Sequence, residues 1–324
     1  MQDLFSVVVP LYNKRDHIER ALNSVLAQSR RNWELIVIND GSTDGGATVV
    51  QAFIDQRCQH MENRVCLVNQ QNDGVSSARN RGITLSKGEI ICFLDADDEW
   101  ESDYLEEIRS LVVAYPRAIF YAVGFKRSLK ETEPKIKFTV SDSYFYLRAV
   151  GVSEIITSGV AVWRERLRSL GGFSEELRVS EDNDLYQRLS LLGPIAFSSR
   201  RAVCYHDDIA VEMRLSGDRL IRQRWPGSAR RNLLNAYNSL RVSANEKRNI
   251  LRYVAAGYHR GVLSRNIFRI VNAVKADAEV MGVNPFLLGL YLGQTLVQRI
   301  LHYARVRVWV VHKVPMDGVR NLRF

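Results

Sequence analysis

Three aspartates in four positions, Asp95, Asp97 and Asp98, follow at once on the apolar run Ile90–Leu94. A run without polar alternation reads as a strand buried on both faces. Its carboxyl end is where open α/β sheets bind their ligands. In an extended chain Asp95 and Asp97 point to one side and Asp98 to the other. Like charges this close repel one another unless a cation or solvent compensates. A hard divalent cation shared with phosphate oxygens would compensate, and so would the water around an acidic turn. The spacing alone leaves both readings open.

The elements that must position these carboxylates are legible upstream. Leu4–Val9 is an apolar, β-branched run closed by Pro10, and it leads into the loop Leu11–Lys14. Asp16 is placed to cap a helix whose Ile18, Leu22, Val25 and Leu26 share one face. Leu35–Ile38 reads as a second strand, ending in Asn39-Asp40-Gly41-Ser42-Thr43-Asp44. That tail is turn chemistry, with Thr43 or Asp44 able to cap the helix that contains Val49–Ile54. Arg64–Val68 is a third strand, Ser76 and Ser77 open a helix through Leu85, and Ile90–Leu94 is the fourth strand. Alternation of this kind predicts a parallel sheet with helices on both faces. The loops Pro10–Asn13, Asp40–Asp44 and Asp95–Asp98 then share one sheet edge, so three separate islands converge in space.

Pro10-Leu11-Tyr12-Asn13, the helix with Ser24–Ser29, the stretch Trp33–Asp44, Ser77-Ala78-Arg79-Asn80-Arg81-Gly82, and Phe93–Asp98 form an ordered set. Over residues 4–210, and most closely over 5–100, this set resembles the family 2 inverting glycosyltransferases with the GT-A fold. The resemblance implies an α/β fold with a GT-A-type mixed, mostly parallel, Rossmann-like sheet flanked by helices. It also implies transfer of a sugar from a nucleoside diphosphate sugar to an acceptor hydroxyl with inversion. On that basis Pro10 and Tyr12 border the base and ribose, and Asp40 accepts a hydrogen bond from the base. A carboxylate suits an imide N–H such as that of uracil. Arg79 lies near the nucleotide, where its fixed charge is useful. Asp95 contacts the ribose, and Asp97 ligates Mg²⁺ or Mn²⁺ on the diphosphate. The cation would neutralise charge on the leaving group. Asp98 assists there or is a solvated turn residue.

Leu170-Gly171-Gly172-Phe173-Ser174-Glu175-Glu176 is similar to the family's GGFDE turn, with Ser174 in place of the commoner aspartate. Glu181-Asp182 then opens a helix with Leu185, Leu189 and Leu192 on one face and Asp184 and Arg188 at i,i+4. Acidic residues in a first turn suit the helix dipole by themselves. The resemblance makes Glu181 part of the substrate site and Asp182 the general base, which a weakly nucleophilic sugar hydroxyl requires. His206 follows an apolar run and is either a structural strand-end histidine or, as in many relatives, a group that reaches the diphosphate or metal.

The chain has 324 residues and a net charge of +9. Residues 200–324 hold 22 basic and 8 acidic residues, against 23 and 28 over 1–199. The expected organisation is a transferase domain over 1–210 and a basic, mainly helical region over 211–324. Phe286–Leu301 is interrupted by Gln294, Gln298 and Arg299, which makes it too polar for a confident transmembrane helix. Basic residues interleaved with apolar ones over Ala304–Val314 fit a helix on an anionic membrane surface, or a helical domain with a solvated basic face. Cys58, Cys66, Cys92 and Cys204 form no CxxC pair and fit a reducing compartment. The start MQDLFSVVVP lacks a basic n-region and a cleavage site. The expected location is therefore cytoplasmic, and under the first of the two readings of the basic region it is peripheral on the cytoplasmic face of the inner membrane. The expected partners are the sugar donor and a glycan or lipid-linked acceptor, with no nucleic acid. PLYNKR lacks the glycine-rich phosphate loop that a sugar nucleotidyltransferase would want, and intact acidic motifs argue against a binding module without catalysis.

Overall fold

The computed structural model describes residues 4–60, 64–127, 139–149, 155–206 and 243–256. Its first half is a strand–helix alternation: β1 (Phe5–Leu11), α1 (Arg15–Leu26), β2 (Trp33–Asp40), α2 (Gly46–Arg57), β3 (Val65–Gln70), α3 (Val75–Leu85) and β4 (Ile90–Phe93). There follow β5 (Glu99–Trp100), α4 (Tyr104–Ala114), β6 (Phe120–Lys126), β7 (Thr139–Asp142) and α5 (Tyr144–Ala149). The remainder is β8 (Val160–Trp163), α6 (Arg164–Ser169), α7 (Glu181–Ser190), β9 (Ile195–Cys204) and α8 (Ala244–Ala256).

The strands form one sheet in the order β3-β2-β1-β4-β8-β6-β9-β5, with β7 also paired to β9. β3, β2, β1 and β4 run parallel, whereas β8 is antiparallel to both β4 and β6. Because β1 lies between β2 and β4, the loops after these strands emerge side by side. The pleat divides the core. Phe5, Val7, Val9 and Leu11 pack with Ile18, Leu22, Val25, Val50 and Ile108 on one face. Val8, Ile91 and Phe93 pack with Ile83, Phe173, Leu185 and Leu189 on the other. Strict alternation along β1 thus feeds two cores, which is why the sequence shows a continuous apolar run.

Local expectations hold in part. Ile18, Leu22 and Val25 are buried along α1, and the Asp184–Arg188 pair forms at 2.8 Å. Leu192 falls beyond α7 and is exposed. The expected Asp16 cap is replaced by a distant one. α1 starts at Arg15, whose amide donates to Asp44 Oδ2 at 2.8 Å, while Asp44 Oδ1 accepts from the Gly46 amide at 2.8 Å. One carboxylate therefore serves the first turns of both α1 and α2, where it is also favoured by their dipoles.

The packed core takes in a helix from beyond residue 210. On α8, Ile250 and Leu251 are buried in the cluster that holds Leu185 and Leu189. The Tyr253 ring packs against Tyr144 and Phe145, and Glu246 Oε1 accepts from Ser143 Oγ at 2.9 Å. The patterns at Phe286–Leu301 and Ala304–Val314 lie outside the described residues. Among the described residues no helix is long and apolar enough to cross a membrane.

Candidate active site

The loops after β1 and β2 are tied together by short polar contacts. Asn13 adopts a left-handed φ of 51°, which asparagine tolerates. Its Oδ1 accepts from the Thr43 amide at 2.8 Å, and its own amide donates to Ser42 Oγ at 3.2 Å. The loop after β4 joins them through Lys14, whose Nζ lies 2.8 Å from Asp97 Oδ2, and through Arg20, whose Nη2 donates to the Asp97 carbonyl at 2.7 Å. The convergence expected of the three islands is thus present. Lys14 and Arg20 escaped sequence reasoning; their signal was positive charge beside a loop destined to meet an acidic one.

Pro10 is buried within β1 and stands opposite Ile38 rather than ending the strand. β4 accompanies β1 only as far as Val8, so one flank of β1 at Pro10 carries no strand partner, a position that suits a residue without an N–H. Tyr12 is 48% exposed, an aromatic ring held out at the sheet edge. Asp40 is buried and organises the loop after β3. Its Oδ1 accepts from Gln70 Nε2 (2.9 Å) and the Asp73 amide (3.0 Å), and its Oδ2 from the Gly74 amide (2.9 Å). A carboxylate offers about four acceptor positions, so among the described residues three are used and one remains on Oδ2.

Arg79 is the hub between the two acidic motifs. Projecting from α3, it is only 4% exposed, and its Nη2 pairs with Asp95 Oδ1 at 2.7 Å while its Nη1 pairs with Glu181 Oε1 at 2.9 Å. The guanidinium also lies over the Phe173 ring at 5.1 Å. Burial opposes its charge, but Asp95 and Glu181 together hold it firmly protonated. Burial likewise pushes the Glu181 carboxyl up, with Arg79 pulling it back down and Asp182 pushing it up. The next residue, Asn80, clamps the Gly-Gly-Phe turn: its Nδ2 donates to the Phe173 carbonyl at 2.9 Å and its Oδ1 accepts from the Phe173 amide at 2.8 Å.

Asp98 is 2% exposed. Ser158 Oγ donates to its Oδ2 at 2.5 Å, and the Ser158 hydroxyl oxygen also accepts from the Asp95 amide at 3.1 Å. Asp98 Oδ1 is buried without a hydrogen-bond partner among the described residues. Burial drives this carboxyl well above the usual range, the charges of Asp95 and Asp97 add to the shift, and Ser158 and the His206 amide oppose it. Asp98 is therefore no solvated turn residue. The orphaned oxygen and the crowded carboxylates fit a hard cation. Among the described residues no three His, Cys, Asp or Glu side chains form a ready-made cage. A cation held by one or two carboxylates and completed by substrate phosphates needs none. The His206 ring is brought to the same strand end, where its Nε2 lies 3.3 Å from Glu99 Oε2.

Asp182 sits in the first turn of α7, partly buried, and its Oδ1 accepts from the Asn183 amide at 2.6 Å. The turn is entered through Ser180 at φ 63°, a left-handed conformation costly for serine. Strain of this kind gathers at functional sites, where the surroundings impose it. It aims the first turn of α7 so that Glu181 reaches Arg79.

The family model for glycosyl transferase family 2 matches residues 6–163, a span that includes all three strand-end loops and Arg79. The glycosyltransferase GlyA of Streptococcus pneumoniae serotype 4 is 35% identical over 146 residues, 45% of this chain and 20% of GlyA. The amylovoran biosynthesis glycosyltransferase AmsB of Erwinia amylovora is 37% identical over 113 residues, 35% of this chain and 37% of AmsB. Across the curated relatives it matches first, the chain spans from a fifth to about half of their length. In architecture, the crystal structure of S. aureus TarS 1–349 in complex with UDP-GlcNAc aligns with a TM-score of 0.65 at 16% identity, covering 93% of this chain and 89% of that one. Residues 6–163 thus match glycosyl transferase family 2, and the chain has the GT-A fold.

Proposed function

We propose that the protein transfers a sugar from a nucleoside diphosphate sugar, read as a uridine diphosphate sugar, to an acceptor hydroxyl with inversion. The observation that carries this reading is the Asp95–Arg79–Glu181 bridge. It sets the strand-end carboxylates of a nucleotide-type edge directly beside the helix turn that bears Asp182. TarS in its crystal structure holds UDP-GlcNAc, and AmsB is named for the synthesis of a polysaccharide. Both fit a role in assembling a cell-surface polysaccharide or lipopolysaccharide.

In this reading the exposed Tyr12 ring stacks on the base, beside Pro10. The fourth acceptor position of Asp40 takes the imide N–H. Asp95, oriented by Arg79 and by the Ser158 hydroxyl, receives the ribose hydroxyl. Asp97 and Asp98, with His206 nearby, would hold Mg²⁺ or Mn²⁺, which when bound supplies Lewis-acid neutralisation of the departing diphosphate. Asp182 takes the proton of the acceptor hydroxyl on the side opposite the leaving group, so a single in-line displacement inverts the anomeric centre. Glu181 stays paired with Arg79 and leaves the proton to its neighbour. A glycan or lipid-linked acceptor, and docking of the basic region 211–324 on an anionic cytoplasmic membrane surface, complete the proposal.

The test is a thermal-shift panel of uridine, guanosine and thymidine diphosphate sugars, with and without MnCl2, followed by donor turnover. A uridine diphosphate sugar should raise the melting temperature only when Mn²⁺ is present. Asp97→Ala should lose that shift while melting like the parent. No shift with any nucleotide sugar would overturn the reading. Binding without turnover against a broad acceptor panel would favour a module that holds the donor without catalysis.

A further inference from the structure

Three carboxylates crowd the end of β4, and the described residues neutralise them unequally. Asp95 has Arg79, Asp97 has Lys14, and Asp98 Oδ1 has no partner. We propose that Lys14 is a built-in counter-cation that occupies Asp97 until a divalent ion arrives, and that it then passes to the donor diphosphate. This inference rests on the donor-site reading given above.

Three features separate Lys14 from an ordinary structural ion pair. The pair sits at the solvent boundary, with side-chain exposures of 15% and 22%, so an incoming ion can reach it. Neither loop depends on it for position. The Lys14 carbonyl accepts from the amides of His17 and Ile18 at 3.0 Å each, which fixes the start of α1. On the other side Arg20 holds the Asp97 carbonyl, and Ser158 holds both Asp98 Oδ2 and the Asp95 amide. The ammonium can leave while both backbones stay in place. A lysine is also the right group to hand over, since its single charge sits on a flexible four-carbon stem and serves phosphate oxygens as a point charge.

The electrostatics give the exchange its direction. One ammonium satisfies Asp97 but leaves the sealed oxygen of Asp98 without a partner. A divalent ion brings twice the charge to the same two carboxylates, and the displaced ammonium adds positive charge where the diphosphate arrives. Lys14 therefore opposes the cation alone and favours the cation together with nucleotide. Binding of the two becomes coupled, and an empty site is guarded against metal without substrate.

The prediction is a pair of effects with opposite signs, read by isothermal titration on the full chain. Relative to the parent, Lys14→Met should bind Mn²⁺ alone about fivefold more tightly, the scale of removing one partly exposed competing ion pair. The same variant should bind UDP in saturating Mn²⁺ about fivefold more weakly, and Lys14→Arg should return Mn²⁺ affinity toward the parent value. Unchanged Mn²⁺ affinity in Lys14→Met, or a parallel loss of Mn²⁺ and UDP binding, would overturn the counter-cation role while leaving the donor site standing. A parent protein that takes up no Mn²⁺ even with UDP present would overturn the metal-assisted reading and this inference together.

Discussion

At the amino ends of β1 and β2, Glu34 is 6% exposed, and its Oε1 accepts from Ser6 Oγ at 2.5 Å and from the amides of Lys87 and Gly88 at 2.6 and 3.1 Å. At the carboxyl end of the neighbouring parallel strand β4, Asp98 is buried still more deeply, yet among the described residues one of its oxygens has no partner, and two more carboxylates stand beside it. Both ends bury an acid. One ties it, through three hydrogen bonds to Oε1, into β1, β2 and the turn before β4. The other leaves its acids dependent on a charge from elsewhere. A satisfied buried carboxylate holds structure together, whereas an unsatisfied one in a cluster is strain kept for a ligand.

Changes at the two ends should separate activity from stability. The largest effect belongs to the open end. Asp182→Asn should lower donor turnover by about 10²–10⁴-fold while UDP binding persists, the range for losing a general base. Turnover within a few-fold of the parent would break the comparison at its catalytic side. The closed end comes next. A Cβ at Gly88 would lie 2.6 Å from the Leu4 carbonyl and from Ser6 Oγ, so Gly88→Ala should destabilise the fold by about 1–3 kcal/mol and leave UDP affinity unchanged. Denaturant unfolding beside UDP titration reads both quantities.

The smallest effect has the reverse sign. Asp98→Asn should stabilise the metal-free protein near neutral pH, because it removes a charge that burial and the neighbouring Asp95 and Asp97 disfavour, while it impairs Mn²⁺-dependent transfer. Its pH dependence follows from the raised Asp98 carboxyl. The folded protein binds that proton more tightly than the unfolded chain does, so parent stability falls as pH rises past the ordinary aspartate value of 3.8. Asparagine has no proton to lose. The gap between variant and parent should therefore open above that pH and close below it, as melts in chelator would report. A variant less stable than the parent at every pH would place Asp98 with Glu34 among the structural acids.

How much of this was legible follows the range of the interactions. The alternation of apolar runs and helical faces, the strand-end loops and the Asp184–Arg188 pair all depend on neighbours within a few residues, and each is present. Roles that depend on distant partners were invisible. Arg79 is expected beside the nucleotide, and partners 16 and 102 positions away also make it the bridge between the two acidic motifs. Asp98 reads from sequence as either a metal ligand or a solvated turn residue, and Ser158, 60 positions on, seals it. Asp44 caps α1 as well as α2, and the His206 ring turns to Glu99.

By itself, the order of residues determined which strands would be buried, where their polar ends would fall, and that three acidic or polar loops would share one edge. Those outcomes rest on side-chain periodicity and on the rule that parallel strands present their carboxyl ends together. Tertiary structure alone decided how the charges at that edge are shared. The antiparallel insertion of β8 beside β4 brings Ser158 beneath Asp98, and the packing of α3 under the Gly-Gly-Phe turn sends Arg79 to Glu181. A carboxylate's charge is written in the sequence, but its partner is whichever group the fold brings within 3 Å, and that distance is set by the whole sheet.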